Sequence, residues 1–450
     1  MRFLERPLPR LRLIAVFFGV VILLLLFVVG MKIRTMVPGN ALYWMNDFDM
    51  FSKGGRAVLD KSPLYGYITS YGYHFPATPF AALWCVPFAL MPILLGQVVW
   101  FTLSLCALAG CCWICFRMMG VVSGKACTLA AVVAACCAMV LDPVLDNQFF
   151  GQINIFVMLL VLLDVAPGLP RRLRGVFTGI AAGVILTPLL FIMFYLVARK
   201  VRMAFKAGIA FVATIVLGSI VVPGSFSSYW IKAEFFRAPI SGMSDTDVMH
   251  SLEGFFARTL GTPAHLPTVG YVFAALVAVF GLIQATMAYR KGHLLLGVIL
   301  IGNTTLLVSP VTWMATMVWI VPTLVWAGLA VWRRQPAIPA ALGFALAAWS
   351  TIPVYWLAQR VGDPTPYQTT VTGNLIATLG SPMFPLFLGV MSSPLWVGYL
   401  SPASSLGKCP GRVVCQRPAD QSHRPDTVCC PRHMGSHEHT NSTTPPQPIG

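Results

Sequence analysis

The sequence predicts an all-α polytopic membrane protein, with about ten to twelve hydrophobic segments spaced for bilayer crossing. Composition is the first reason. Of 450 residues, 57% are hydrophobic and only 10% are charged, against about 25% charged in ordinary soluble domains. The second is length: apolar stretches of roughly 15–22 residues recur, close to the ~20 that a helix needs to cross hydrocarbon. The third is the pattern of charge, with Lys and Arg confined to short clusters between apolar runs. Backbone amides in lipid must be satisfied within their own segment, and no alternation typical of a β-barrel is present, so the segments are helices.

Apolar segments run at 13–31, 78–92, 95–116, 126–141, 151–166, 176–197, 207–222, 267–289, 294–308, 314–332, 337–357 and 373–400. The first, Leu13 to Met31, is too long for a cleavable signal and lacks a small-residue cleavage site, so it reads as a signal anchor. The formal charge of +16 does not mark a nucleic-acid protein, because the cations sit in loops rather than in one solvated, aromatic-interleaved domain. Under the positive-inside rule they set sidedness. Residues 1–12, with Arg2, Arg6, Arg10 and Arg12, are cytoplasmic. So are the loops holding Arg117 and Lys125, and Arg171, Arg172 and Arg174. The clusters Arg199, Lys200, Arg202 and Lys206, then Arg290 with Lys291, then Arg333 with Arg334, follow the same rule.

Meeting all these constraints requires two segments not to cross. Thr78 to Pro92 contains Pro79, Pro87 and Pro92 and suits a helix at the outer interface. Val176 to Val197 has basic clusters at both ends and Thr187-Pro188 at its centre, as expected of a re-entrant hairpin or a broken helix. Loops 32–77, 142–150, 223–266 and 309–313 then face outward. The first of them departs from the rule with Lys32, Arg34, Lys53, Arg56 and Lys61. A multi-span domain over 13–400 is followed by 401–450, a disordered cytoplasmic tail by composition. Eight cysteines (Cys85, Cys106, Cys111, Cys112, Cys115, Cys127, Cys136 and Cys137) lie in apolar segments as small hydrophobes. The tail's Cys409, Cys415, Cys429, Cys430, His433, His437 and His439 fit no standard zinc spacing, and no metal site is expected.

Polar groups beside apolar segments are costly and point to function. Asn46-Asp47-Phe48-Asp49 places two carboxylates among Tyr43, Trp44, Phe48 and Phe51. Aromatic faces suit the C–H surface of a sugar and a carboxylate suits its hydroxyls, although a solvated loop also fits. The stretch Asp142 to Asn154 packs six polar side chains (Asp142, Asp146, Asn147, Gln148, Gln152 and Asn154) between apolar segments. Helix capping could use Asp142 and Asn147, but it leaves Gln152 and Asn154 entering an apolar run, as they would to line a cavity. In 223–266, Tyr229, Trp230, Lys232, Arg237, His250 and Arg258 could hold a lipid phosphate or snorkel at the interface. Ser309-Pro310-Val311-Thr312-Trp313 is a polar break between helices.

In order and spacing, these pieces resemble the GT-C membrane glycosyltransferases of glycosyltransferase family 87, over roughly residues 40–330. The carriers are Asp47-Phe48, Ala57-Val58-Leu59, Pro63-Leu64-Tyr65-Gly66 and Pro79-Phe80-Ala81-Ala82. After these come Phe150-Gly151-Gln152-Ile153-Asn154 and Leu186-Thr187-Pro188. Ser251-Leu252-Glu253-Gly254 with Arg258, and Ser309-Pro310 through Trp313 to Trp319 and Pro322, close the series. The resemblance implies transfer, with inversion, of a hexose (mannose) from a polyprenyl monophosphate carrier to a glycolipid or polysaccharide acceptor. It places the general base at Asp47, with Asp49 as the alternative, and puts Gln152, Asn154, Thr187, His250, Arg258 and Trp313 in the substrate cavity. No cofactor beyond the lipid-linked donor and no nucleic acid is implied. Where the family usually has Lys-Leu-Thr-Pro, this chain has Ile185-Leu186-Thr187-Pro188, and where it has a His pair after the Trp, this chain has Ala315-Thr316. A transporter or flippase of lipid-linked sugar and a catalytically inactive family member are the alternatives. The former would be expected to carry repeat symmetry and several intramembrane charges, whereas Asp164 is the one clear charge inside a span.

Overall fold

Apolar side chains on every face and the absence of a period-two pattern leave helix as the way to satisfy the backbone. A computed structural model describes residues 30, 44–65, 75–121, 124–232, 250–252, 256, 268–332 and 383–393, and among them no strand occurs. The expected segments 13–31 (save Gly30) and 337–357, and the tail 401–450, lie outside the described residues. The helices are α1 (Asn46–Leu59), α2 (Pro79–Ala89), α3 (Ile93–Met118), α4 (Lys125–Ala138), α5 (Asp142–Phe150), α6 (Asn154–Val165), α7 (Val176–Val184), α8 (Leu189–Val197) and α9 (Val201–Val221). After a π-helical turn at Ser227–Ile231 come α10 (Thr268–Arg290) and α11 (Leu294–Val308). A 3-10 turn at Met314–Trp319 leads into α12 (Ile320–Trp332), and α13 covers Met383–Met391.

Among the described residues three helices are long and apolar enough to cross a bilayer alone: Ile93–Met118, Val201–Val221 and Tyr271–Arg290. The remaining apolar segments are shorter or broken. The stretch 142–150 is not the outward loop expected. It is the helix α5, turned by 83° from α4 and buried along nearly its whole length. Pro143 in its first turn supplies a fixed φ without losing a needed donor. Neither Asp142 nor Asn147 caps it, since Leu141 occupies the N-cap with no side-chain bond. The segment 176–197 breaks at Ile185–Pro188 into the nine-residue helices α7 and α8. Proline there removes a backbone donor and crowds the preceding turn.

Close backbone approach holds the centre together. Gly175, Gly179 and Gly183 repeat every fourth residue along α7 and face α9. A Cβ on them would meet the carbonyl oxygens of Met203 at 2.3 Å and Ala207 at 2.2 Å, and the Thr214 hydroxyl at 2.1 Å. Small residues at that period are the means by which helices approach in lipid. The Thr78 hydroxyl caps α2 by accepting from Ala81 N–H at 3.2 Å and donates to the Gly183 carbonyl, tying α2 to α7. Helix α6 acts as a strut. Its N-terminal residue Asn154 lies at the polar cluster described below. At its other end the Asp164 carboxylate accepts from Phe177 N–H at 3.3 Å and Thr178 N–H at 2.7 Å, anchoring the start of α7. About 15 Å separates Asn154 from Asp164 at 1.5 Å per residue.

Candidate active site

Helix α1 is amphipathic because its buried positions Phe48, Phe51 and Gly55 fall on one face. That face is fully buried: Phe48 lies edge-on to Trp100 at 5.5 Å and Phe51 stacks on Trp100 at 5.9 Å. Phe48 and Phe51 therefore anchor the helix, and they are not the sugar platforms their sequence context allowed. Trp44 remains exposed and sits edge-on to Phe149 at 5.5 Å.

Anchoring Phe48 fixes where its neighbours project. Asp47 and Asp49, two positions apart, diverge by about 200° around the helix. Asp49 turns to Lys53 and forms a 2.7 Å ion pair one turn on. Asp47 turns inward, where the Gln152 side-chain amide donates to its Oδ2. Some surface of the Asp47 residue stays accessible, but its carboxyl group is enclosed. Burial pushes its pKa up from the ordinary 3.8 to about 7, and the Gln152 hydrogen bond partly opposes that rise.

Gln152 is delivered by the turn ending α5. Gly151 takes a left-handed φ of 71° and accepts no side chain, since a Cβ would lie 2.6 Å from that of Phe48. The turn is closed by Gln152 N–H donating to the Asn147 carbonyl at 2.9 Å, and Met45 N–H donates to the Phe149 carbonyl at 2.8 Å. Asn154 extends the chain. Its amide donates to Gln152 Oε1 at 3.3 Å and to the Ala315 carbonyl at 3.2 Å. Asn147 donates to the same carbonyl at 3.0 Å, so the 3-10 turn is held by two asparagines.

His250 is buried at the same turn, with its backbone N–H donating to the Thr312 carbonyl at 2.6 Å. Ser251 Oγ reaches the Pro310 carbonyl at 3.5 Å. Trp313, half-buried, begins the 3-10 turn, and Thr316 Oγ1 donates to its carbonyl at 2.7 Å. Asp47, Gln152 and Asn154 are thus joined directly, and the segments of His250 and Trp313 are joined to them through the backbone at 312–315. Thr187 stands half-buried in the α7–α8 break with no hydrogen bond to that set. Arg258, Arg237 and Glu253 lie outside the described residues. Ala315, whose side chain departs from the family pattern, contributes through its carbonyl instead. That role has no signature in a residue letter. Among the described residues no group of three or more His, Cys, Asp or Glu could hold a metal ion.

The arrangement can accept a proton near neutral pH at one enclosed carboxylate, next to amide donors and acceptors suited to hydroxyl groups. Comparison with known proteins identifies the family of the chain. The profile of glycosyltransferase family 87 matches residues 75–310. A polyprenol-phosphate-mannose-dependent alpha-(1-2)-phosphatidylinositol mannoside mannosyltransferase of Mycobacterium tuberculosis H37Rv is 29% identical over 327 residues, 68% of this chain and 76% of that protein. The corresponding pentamannoside mannosyltransferase of M. tuberculosis CDC 1551 is 29% identical over 347 residues, covering 75% and 78%. A mannoside mannosyltransferase of Mycolicibacterium smegmatis is 27% identical over 351 residues, covering 72% and 78%. No solved structure matches.

Proposed function

Because this chain belongs to glycosyltransferase family 87, we propose that it is a membrane glycosyltransferase that uses Asp47 to transfer mannose from a polyprenyl phosphate to a glycolipid. The donor and the acceptor class are those named for its relatives, whose acceptors are phosphatidylinositol mannosides. The carrying observation is the enclosed Asp47 carboxylate with its pKa raised to about 7 and the Gln152 amide upon it. A base tuned close to ambient pH is best placed for proton transfer.

In this reading Asp47 takes the proton of the acceptor hydroxyl. The acceptor oxygen's electron pair forms the new bond to the anomeric carbon, and the old C–O bond breaks. Its electrons leave on the polyprenyl phosphate, a weakly basic phosphate that requires no general acid. One carboxylate then suffices for inversion, unlike the pair used by glycosidases. Asp49, held by Lys53, faces away and is not the base. Gln152 and Asn154 position hydroxyls, and His250 and Trp313, whose segments join them through the backbone at 312–315, border the substrates. Thr187 and Arg258 are assigned to substrate binding by the family resemblance alone, a cation there being suited to the leaving phosphate. No metal or further cofactor is needed in this scheme. The site faces the outside of the plasma membrane, a placement supported by the basic loops at the far end of α6.

The test is reconstitution of the purified chain in liposomes with radiolabelled polyprenyl-phosphate-mannose. Label should move into phosphatidylinositol mannoside only when both lipids are present. Label that crosses the bilayer still attached to its carrier, without entering the acceptor, would make the chain a flippase instead.

A further inference from the structure

One open cavity does not have Asp47 among its lining residues. It is a cleft of about 450 Å³ walled by Arg171, Arg172, Arg174, Lys200, Arg202 and Lys206. A smaller pocket of about 80 Å³ shares Arg174 and Lys200 with it and reaches Asp164. The cleft therefore lies at the Asp164 end of α6, with Asn154 and the Asp47 site at the other.

These cations are gathered by the fold rather than scattered along loops. The Lys206 ammonium donates to the carbonyls of Arg171 at 2.8 Å and Arg172 at 3.1 Å, pinning that loop over the first turns of α9. Gly175 seats against the Met203 carbonyl on the other side. Among the described residues none of the six pairs with a carboxylate. Asp164, which lines the adjoining pocket, is taken up by the N–H groups of α7. Lys200 lies over the ring of Tyr289 at 5.3 Å. The positive end of the α9 dipole adds to the same field. Holding like charges this close is unfavourable, and orienting a membrane protein needs basic loops but no common cleft.

Directly beside the cations, α9 is lipid-like on its outside. Val201 is 60% and Phe205 70% exposed, and only 22% of the spanning part of α9 is buried. We propose that this cleft binds the phosphate headgroup of an anionic lipid in the leaflet opposite the Asp47 site, with the phosphate among the guanidinium groups and an acyl chain along Val201 and Phe205. Arginine forks match phosphate oxygens in pairs, and the adjoining apolar strip favours a phosphate carried by a lipid over a free one.

The full chain in neutral detergent tests this by thermal unfolding with added phosphatidylglycerol, phosphatidylcholine or inorganic phosphate. Phosphatidylglycerol should raise Tm saturably, and phosphatidylcholine should not. Replacing the exposed Arg171, Arg172 and Arg202 together by Gln should weaken the apparent affinity at least ~10-fold. Lys125→Gln, in a different basic loop, should leave it unchanged. The triple variant's Tm and gel-filtration profile in phosphatidylcholine alone report that it is folded. Equal response to both lipids, or equal loss in Lys125→Gln, would overturn the site. An equal saturable response to inorganic phosphate would overturn its assignment to a lipid.

Discussion

At Asp47, burial has the larger effect on the carboxyl and the Gln152 hydrogen bond the smaller. The consequence for pH has a definite sign. The proposed base at Asp47 works only when ionised, so transfer should fall as pH drops below about 7 and level off above it. Gln152→Leu removes the bond that favours the ionised form, and the acidic limb of kcat/KM should move to higher pH. Stability runs the other way. A carboxyl raised from 3.8 to about 7 stabilises the fold while protonated, an advantage present at low pH and lost as pH rises through 7. Asp47→Asn should therefore unfold at a higher temperature than wild type at pH 8, so that lost activity cannot be charged to misfolding. Asp49→Asn removes only an exposed ion pair, worth about 0.2–1 kcal/mol, and should leave transfer nearly intact. From sequence, Asp47 and Asp49 were both candidates. What divides them is the burial of Phe48 against Trp100, a partner distant in the chain, and the letters between positions 47 and 49 contain no sign of it.

Among the elements, long apolar helices were the most legible, because a span of hydrophobic residues needs no tertiary partner to be recognised. Short ones were less so. The run 142–150 looked like a loop because Asp142, Asp146, Asn147 and Gln148 are polar, yet it forms the buried helix α5, where Asn147 and Gln148 find partners in Ala315 and Ser104. Buried hydrogen bonding overrode the polarity. The break at Thr187-Pro188 was readable because proline acts locally. The Gly175, Gly179, Gly183 repeat was not read from the sequence, because small residues at that spacing mean close packing only once α9 lies against them. Gly179→Leu should push α7 off α9, costing about 1–3 kcal/mol by overpacking, seen as a lower Tm in detergent. Gly151→Ala forces a left-handed residue, worth about 1–2 kcal/mol, into contact with Phe48 and should displace Gln152. Transfer should drop more than stability does.

On the scale of the whole molecule, α6 separates a proton-accepting site from a cationic cleft. The two ends should be reachable from opposite sides of the membrane. A membrane-impermeant maleimide should label Trp44→Cys in intact cells and Arg172→Cys only after permeabilisation, and labelling of both from one side would refute the arrangement. The charge clusters made the basic end legible, since their number and position follow from orientation alone. The site itself was legible as a set of polar interruptions but not as a network, because its connections run through backbone carbonyls at Ala315 and Thr312. Everything proposed for the site depends on the Asp47 carboxylate being the group that drives transfer. The most direct measurement is the rate of labelled mannose transfer from polyprenyl-phosphate-mannose to phosphatidylinositol mannoside, in liposomes holding equal amounts of folded wild type or Asp47→Asn. The variant should be slower by about 100-fold or more; transfer at the wild-type rate would show that Asp47 is not the base.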